Sequence, residues 1–144
     1  MPLEIHERLT VPAKPQATLT LPFELRQRSR LLARLDHSEE EVGLFLPRGT
    51  VLRQNDLLRA STGLVIRVNA APETVSSAAA SNPLLLARAC YHLGNRHIAL
   101  QIGPGWIRYL QDHVLDRMVR ELGLTIAHET APFEPEAGAY GHGH

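Results

Sequence analysis

Eight histidines stand in a chain of 144 residues, and six of them fall after residue 90. Imidazole suits nickel, copper and zinc, but one ring alone holds none of them well, so ligands must converge from several places. The sequence contains no His-Glu-x-x-His, and a single cysteine, Cys90, excludes a thiolate-rich structural zinc site. A metal hydrolase needs three fixed ligands, an open position and a nearby base, and no local cluster of that kind occurs. What remains is histidines gathered by folding, by symmetry or by a loose segment. The candidates are His97, His113, His142 and His144.

His97 closes the run Tyr91-His-Leu-Gly-Asn-Arg-His97 and precedes Ile98-Ala-Leu-Gln-Ile102. Upstream, Asn82-Pro83 is a helix start, Asn capping free N–H groups and Pro taking the first helical position. Apolar residues at 85, 86, 89, 90 and 93 then mark one helical face. The spacing predicts a helix over 83–93, Gly94 as the left-handed residue closing it, and His97 on the first residue of a strand over 97–102. On such a junction His97 is either a metal ligand or a strand-end histidine that serves packing. Symmetry makes the first reading concrete. If this half dimerises about a two-fold axis near 94–97, each chain brings the same ring and two His97 rings share one ion. His92 sits near the helix C-terminus, where a cationic ring is favourable, and a structural cap explains it.

His113 stands in the first turn of a second helix, with Asp112 as N-cap, apolar residues at 114, 115, 118, 119 and 122, and Gly123 beyond its end. The positive end of the helix dipole disfavours imidazolium there and keeps the ring in its metal-binding neutral form. His142 and His144, separated by one glycine, end a stretch from Pro132 that has no period and reads as mobile. They are tail ligands or an expression remnant. A coil from Phe133 to His142 reaches roughly 16 Å, enough to fold back on an ion. His6 and His37 have no partners at ligand spacing and read as surface histidines.

The elements that must carry these residues differ between the halves. Up to about Asn69 the pattern is of strands, at Ala17–Leu21, Arg30–Leu35, Val42–Leu46 and Leu64–Val68, punctuated by prolines and turn residues. The period changes near Ala70-Ala-Pro72. The Ala/Ser tract after it suits a linker or a short strand from Glu73, and the strand is the better fit. The second half then reads strand, helix, strand, strand (106–110), helix (113–122), strand (124–130). A βαββαβ order makes a ferredoxin-like sandwich. The expected class is therefore α+β: a small all-β module over 1–71, a candidate for binding a partner or peptide, a ferredoxin-like domain over 72–131 for metal binding and dimerisation, and a flexible tail over 132–144.

Composition narrows the function classes. Fifteen Lys plus Arg balance fifteen Asp plus Glu, and one Trp, three Tyr and three Phe leave little for base stacking, so nucleic acid is not an expected partner. Cys90 falls on the apolar helix face as a small buried hydrophobe. No apolar run approaches the ~20 residues of a membrane span, and the N-terminus lacks a secretory layout. The expectation is a cytoplasmic protein without a membrane.

Three stretches carry a resemblance: Tyr91–His97 with Leu100-Gln-Ile102 behind it, Asp112-His-Val-Leu115 with Leu122-Gly123, and Phe133-Glu-Pro-Glu-Ala-Gly-Ala-Tyr140. Together they resemble the urease accessory protein E family, the nickel metallochaperones of urease maturation. The likeness covers nearly the whole chain and is specific in its second half. It implies a β-rich N-terminal module before a ferredoxin-like domain, and a homodimer that accepts Ni(II) as cargo, with copper or zinc as competitors. The family's interface nickel ligand falls on His97, with His142 or His144 helping. Family members often carry extra histidines just before His113, where this chain has Leu110 and Gln111, so His113 is left as a lone weak ligand. The implied partners are the GTPase of urease assembly, its companion accessory proteins and urease apoprotein. The carrier needs no catalytic residue. The alternative is a metal-dependent enzyme using His97 and His113 around a bound water.

Overall fold

Strands dominate the first seventy residues because short alternating runs there are cut by prolines and tight turns. The computed structural model describes residues 2–137, and these fall into two compact units, one over residues 2–71 with Ala137 and one over Pro72–Glu136. The first unit holds β1 (Leu3–Arg8), β2 (Ala17–Leu21), a single-turn helix α1 (Phe23–Arg26), β3 (Arg30–Arg34), β4 (Glu41–Phe45), β5 (Leu57–Ala60) and β6 (Val65–Ala70). They form one six-stranded sheet in the order β2-β6-β5-β1-β4-β3. Two of its pairings, β1 with β4 and β2 with β6, are parallel. Alternation sends Ile5, Leu19, Val42, Leu44, Leu58, Ile66 and Val68 into one core. Strands β1 and β5 are absent from the sequence expectation. Leu3-Glu-Ile-His-Glu-Arg8 turns only Ile5 fully inward, and β5 spans four residues, so neither shows a clear period.

Two buried polar contacts lock this module. Arg26 is fully buried, and its guanidinium donates to the Leu21 carbonyl at 3.0 Å and the Leu52 carbonyl at 3.1 Å. Asp36 accepts from the Thr18 hydroxyl, the Thr20 hydroxyl and the Thr20 N–H. Burial opposes ionisation of Asp36, yet these donors outweigh it and hold the carboxyl below its ordinary value.

The second unit is built from β7 (Pro72–Ala79), α2 (Pro83–Asn95), β8 (Gln101–Gly103), β9 (Trp106–Leu110), α3 (His113–Leu122) and β10 (Thr125–Pro132). Its strand order is β10-β7-β9-β8, with every neighbour antiparallel. That is the ferredoxin-like arrangement of the βαββαβ reading, so the fold class is α+β as expected. Most of the Ala/Ser tract is strand, because small residues let β7 pair with β10 along eight residues on one side and with β9 on the other. Both helices cover one face of the sheet, where Ala89 and Leu93 of α2 and Leu115 and Val119 of α3 meet Ala78, Ile107 and Tyr109. Cys90 packs half-buried against this core, and burial pushes its thiol up.

Three local expectations are corrected. Helix α2 runs on through Gly94 to Asn95, because Gly94 keeps a helical backbone and the left-handed position falls later. The strand expected from 97 begins only at Gln101; residues 97–100 are spent turning the chain out of the helix. The stretch after Pro132 is not loose at its start, since Phe133 is fully buried and the N–H groups of Glu134 and Glu136 are bonded to the Gln101 side chain and the Leu100 carbonyl. Low apolar content hid two well-spaced apolar residues there, Phe133 and Pro135, both buried. No helix among the described residues is long and apolar enough to cross a membrane.

Candidate metal centre

Helix α2 begins as the sequence dictates, with the Asn82 side chain accepting from the Leu85 N–H at 3.0 Å and Pro83 in the first turn. Its other end is unusual. The His97 N–H donates to the Gly94 carbonyl at 2.9 Å and the Ile98 N–H to the Leu93 carbonyl at 3.2 Å. This pair of bonds is the Schellman motif, whose penultimate residue takes a left-handed backbone and is usually glycine. Here that residue is His97 itself, at φ 60°. The motif's apolar contact is supplied by Ile98 against the core that holds Leu93. The ring of His97 is exposed. Its backbone is therefore fixed by two hydrogen bonds and a buried leucine while its imidazole faces outward.

His97 lines a cleft of about 290 Å³ together with Ile98, Ala99, Leu110, Gln111, Asp112 and Leu115. Its walls are mainly apolar, and Asp112 is the one carboxylate on them. Asp112 caps α3, one of its oxygens accepting from the N–H groups of Val114 at 2.8 Å and Leu115 at 3.1 Å. His113 is the first residue of α3 and exposed, but it is not among the residues lining the cleft. The structure thus brings His97 and Asp112 to one cleft and leaves His113 beside it. His92 is in the last turn of α2, edge-on to Tyr91 at 5.2 Å between ring centres. His142 and His144 lie outside the described residues. Among the described residues no group of three or more His, Cys, Asp or Glu is placed to hold a metal, so one chain does not complete a site from these residues.

Two family models match end to end. The model of the UreE urease accessory protein N-terminal domain matches residues 3–71, and that of the C-terminal domain matches residues 73–144. The chain belongs to the UreE urease accessory protein family. As a UreE-family chain it is 58% identical over 139 residues to the urease accessory protein UreE of Alkalilimnicola ehrlichii, covering 96% of this chain and 85% of that one. It is 52% identical over 133 residues to UreE of Proteus mirabilis (92% and 82% covered) and 48% identical over 157 residues to UreE of Marinobacter nauticus (99% and 86%). The family works in urease maturation as accessory protein and is not the urease enzyme.

The UreE-type domain also holds a polar network that the sequence reading passed over. Asp116, on the inner face of α3 and 2% exposed, accepts from the Tyr109 hydroxyl at 2.6 Å, and its second oxygen meets Nε2 of His128 on β10 at 2.6 Å. The buried Ser76 hydroxyl lies against the same pair without completing a hydrogen bond of its own. Burial works against the Asp116 charge, but Tyr109, Ser76 and His128 outweigh it and hold the carboxyl below its ordinary value. Burial, then Asp116, pushes the Tyr109 hydroxyl up. One signal in the sequence points there: Asp116 interrupts the apolar stripe between Leu115 and Val119, and a carboxylate on a buried helix face demands a partner.

Proposed function

We propose that this chain is a homodimeric nickel carrier which accepts Ni(II) at a site made from the His97 rings of two copies and surrenders it to the urease maturation complex. The observation that carries the reading is His97: an exposed imidazole held in a backbone conformation that glycine would adopt freely, at the mouth of a mostly apolar cleft. His37 and Asn55 also take left-handed backbone, at a cost of roughly 1 kcal/mol, and His97 differs from them in closing a helix beside that cleft. A second copy supplies what one chain lacks, since a two-fold axis near the α2 end doubles His97. Exposed apolar residues beside the cleft suit such a contact, Leu110 at 41% on its wall and Val114 at 56% just after His113.

In this reading His142 or His144 completes the coordination of an ion already held by the two His97 rings, and His113 is at most an auxiliary ligand. Few, partly mobile nitrogen ligands suit delivery, because they leave one at a time and lower the barrier to transfer. Copper and zinc compete for the same imidazoles. The protein acts as a carrier and not as an enzyme, in the cytoplasm, with the urease accessory GTPase, the other urease accessory proteins and urease apoprotein as partners. The N-terminal module serves one of those contacts. Calorimetric nickel titration with mass measured in solution tests the core of this: one tight ion per two chains, lost in His97→Ala with the dimer intact. One tight ion per chain, or unchanged binding in His97→Ala, contradicts the shared site.

A further inference from the structure

The first unit shields two arginine side chains and treats them differently. Arg26 spends its N–H groups on the Leu21 and Leu52 carbonyls. Arg67 stands on β6 between the core residues Ile66 and Val68, so its side chain leaves the opposite face of the sheet. Its Nε is buried, yet among the described residues this side chain donates no hydrogen bond and forms no ion pair. A guanidinium carries five donors and no acceptor, and a shielded donor without a partner is destabilising. Such a group calls for a partner from outside the chain.

Arg67 lines a cleft of about 570 Å³ together with Gln16, Thr18, Asp36, His37 and Ser38, a size that suits a small organic ligand. Thr18 is registered beside Arg67, and its hydroxyl is committed to Asp36. The Asp36 carboxylate already accepts from three donors, the Thr18 and Thr20 hydroxyls and the Thr20 N–H. The Gln16 side-chain oxygen accepts from the Val65 N–H at 2.9 Å, and the Ser38 hydroxyl oxygen accepts from the Glu40 N–H at 2.9 Å. What each has left to offer is a donor, an NH₂ group in Gln16 and an O–H in Ser38. The acceptors on these walls are taken and the donors are spare.

We infer that this cleft binds a carboxylate, which pairs with the Arg67 guanidinium and takes further hydrogen bonds from Gln16 and Ser38. A carboxylate matches the guanidinium fork and balances its single charge. A phosphate brings close to two charges and would meet the Asp36 carboxylate across the same space. The carboxylate has two possible sources, a free organic acid and an acidic side chain of another protein. The site lies within the N-terminal unit and does not depend on the metal reading.

The experiment is an NMR titration of the nitrogen-labelled full chain with benzoate, with benzamide as the uncharged molecule of the same shape, with a capped peptide containing one glutamate, and with inorganic phosphate. A carboxylate should shift, to saturation, the backbone amides of Gln16, His37 and Ser38 and the Nε–H signal of Arg67, and benzamide should not. Arg67→Gln should weaken that binding at least about tenfold while the rest of the spectrum stays as in wild type. Saturation by benzoate alone assigns a free acid, saturation by the peptide alone assigns an acidic side chain, and either upholds the carboxylate site. Benzamide binding as well as benzoate, phosphate binding more tightly than both carboxylates, or unchanged affinity in Arg67→Gln overturns it. If Arg67→Gln does not fold, the wild-type shifts decide. No saturable shift with either carboxylate, or shifts confined to other residues, would show that water satisfies Arg67 and overturn the inference.

Discussion

The two helices of the second domain end in the same way with different residues. At α2 the bonds run from His97 N–H to Gly94 and from Ile98 N–H to Leu93; at α3 they run from Gly123 N–H to Arg120 at 2.9 Å and from Leu124 N–H to Val119 at 3.3 Å. The left-handed residue is Gly123 at φ 109° in one and His97 at φ 60° in the other. Gly123 bears no strain there. His97 bears it in an otherwise equivalent motif, so the histidine is not explained by the way helices end. What separates the two ends is surroundings. A Cβ at Gly123 would meet Leu85 of the core at 3.6 Å, whereas His97 opens onto a cleft with Asp112 on its wall.

Substitutions can break this equivalence at each level. The largest effect should come from what the two caps share, the buried residue under each. Leu93→Ala should cost roughly 3 kcal/mol and Val119→Ala roughly 2 kcal/mol in denaturant unfolding of this domain. Next is the network that only the α3 side has. Because the Asp116 carboxyl is held below its unfolded value of about 3.9, it adds stability above that value which is lost as pH falls through the folded one. Asp116→Asn should therefore be less stable than wild type at neutral pH, by about 2 kcal/mol for a disrupted buried charged network, and should show a flatter loss of stability between neutral pH and pH ~3. Equal acid limbs in the two proteins would contradict the assigned role. Smaller still, Gly123→Ala should cost about 1 kcal/mol and leave nickel binding untouched.

Much of this was legible in the sequence, and the misses have physical causes. Asn82-Pro83 and Asp112 announced both helix starts because capping chemistry is local. The βαββαβ order followed from periods long enough to read. The end of α2 did not, because Gly94 looks like the left-handed residue, and the backbone sets that position three residues later, where Leu93 can bury itself and Ile98 can close over it. The order of residues 133–136 was not legible because it comes from hydrogen bonds to Leu100 and Gln101, more than thirty residues away, and not from any local pattern. His128 was overlooked because a lone histidine in a polar strand means nothing until Asp116 is seen to be buried.

In the proposed carrier, His97 occupies its left-handed place for its imidazole. His97→Gly tests it most directly, since glycine relaxes the backbone while deleting the ring. Thermal unfolding, calorimetric nickel titration and mass in solution should be measured on the same preparations of wild type and His97→Gly. His97→Gly should be as stable as wild type or more so, by roughly 0.5–1 kcal/mol, dimeric like the proposed carrier, with the tight nickel site gone. A variant that keeps the tight site with one ion per two chains would contradict it.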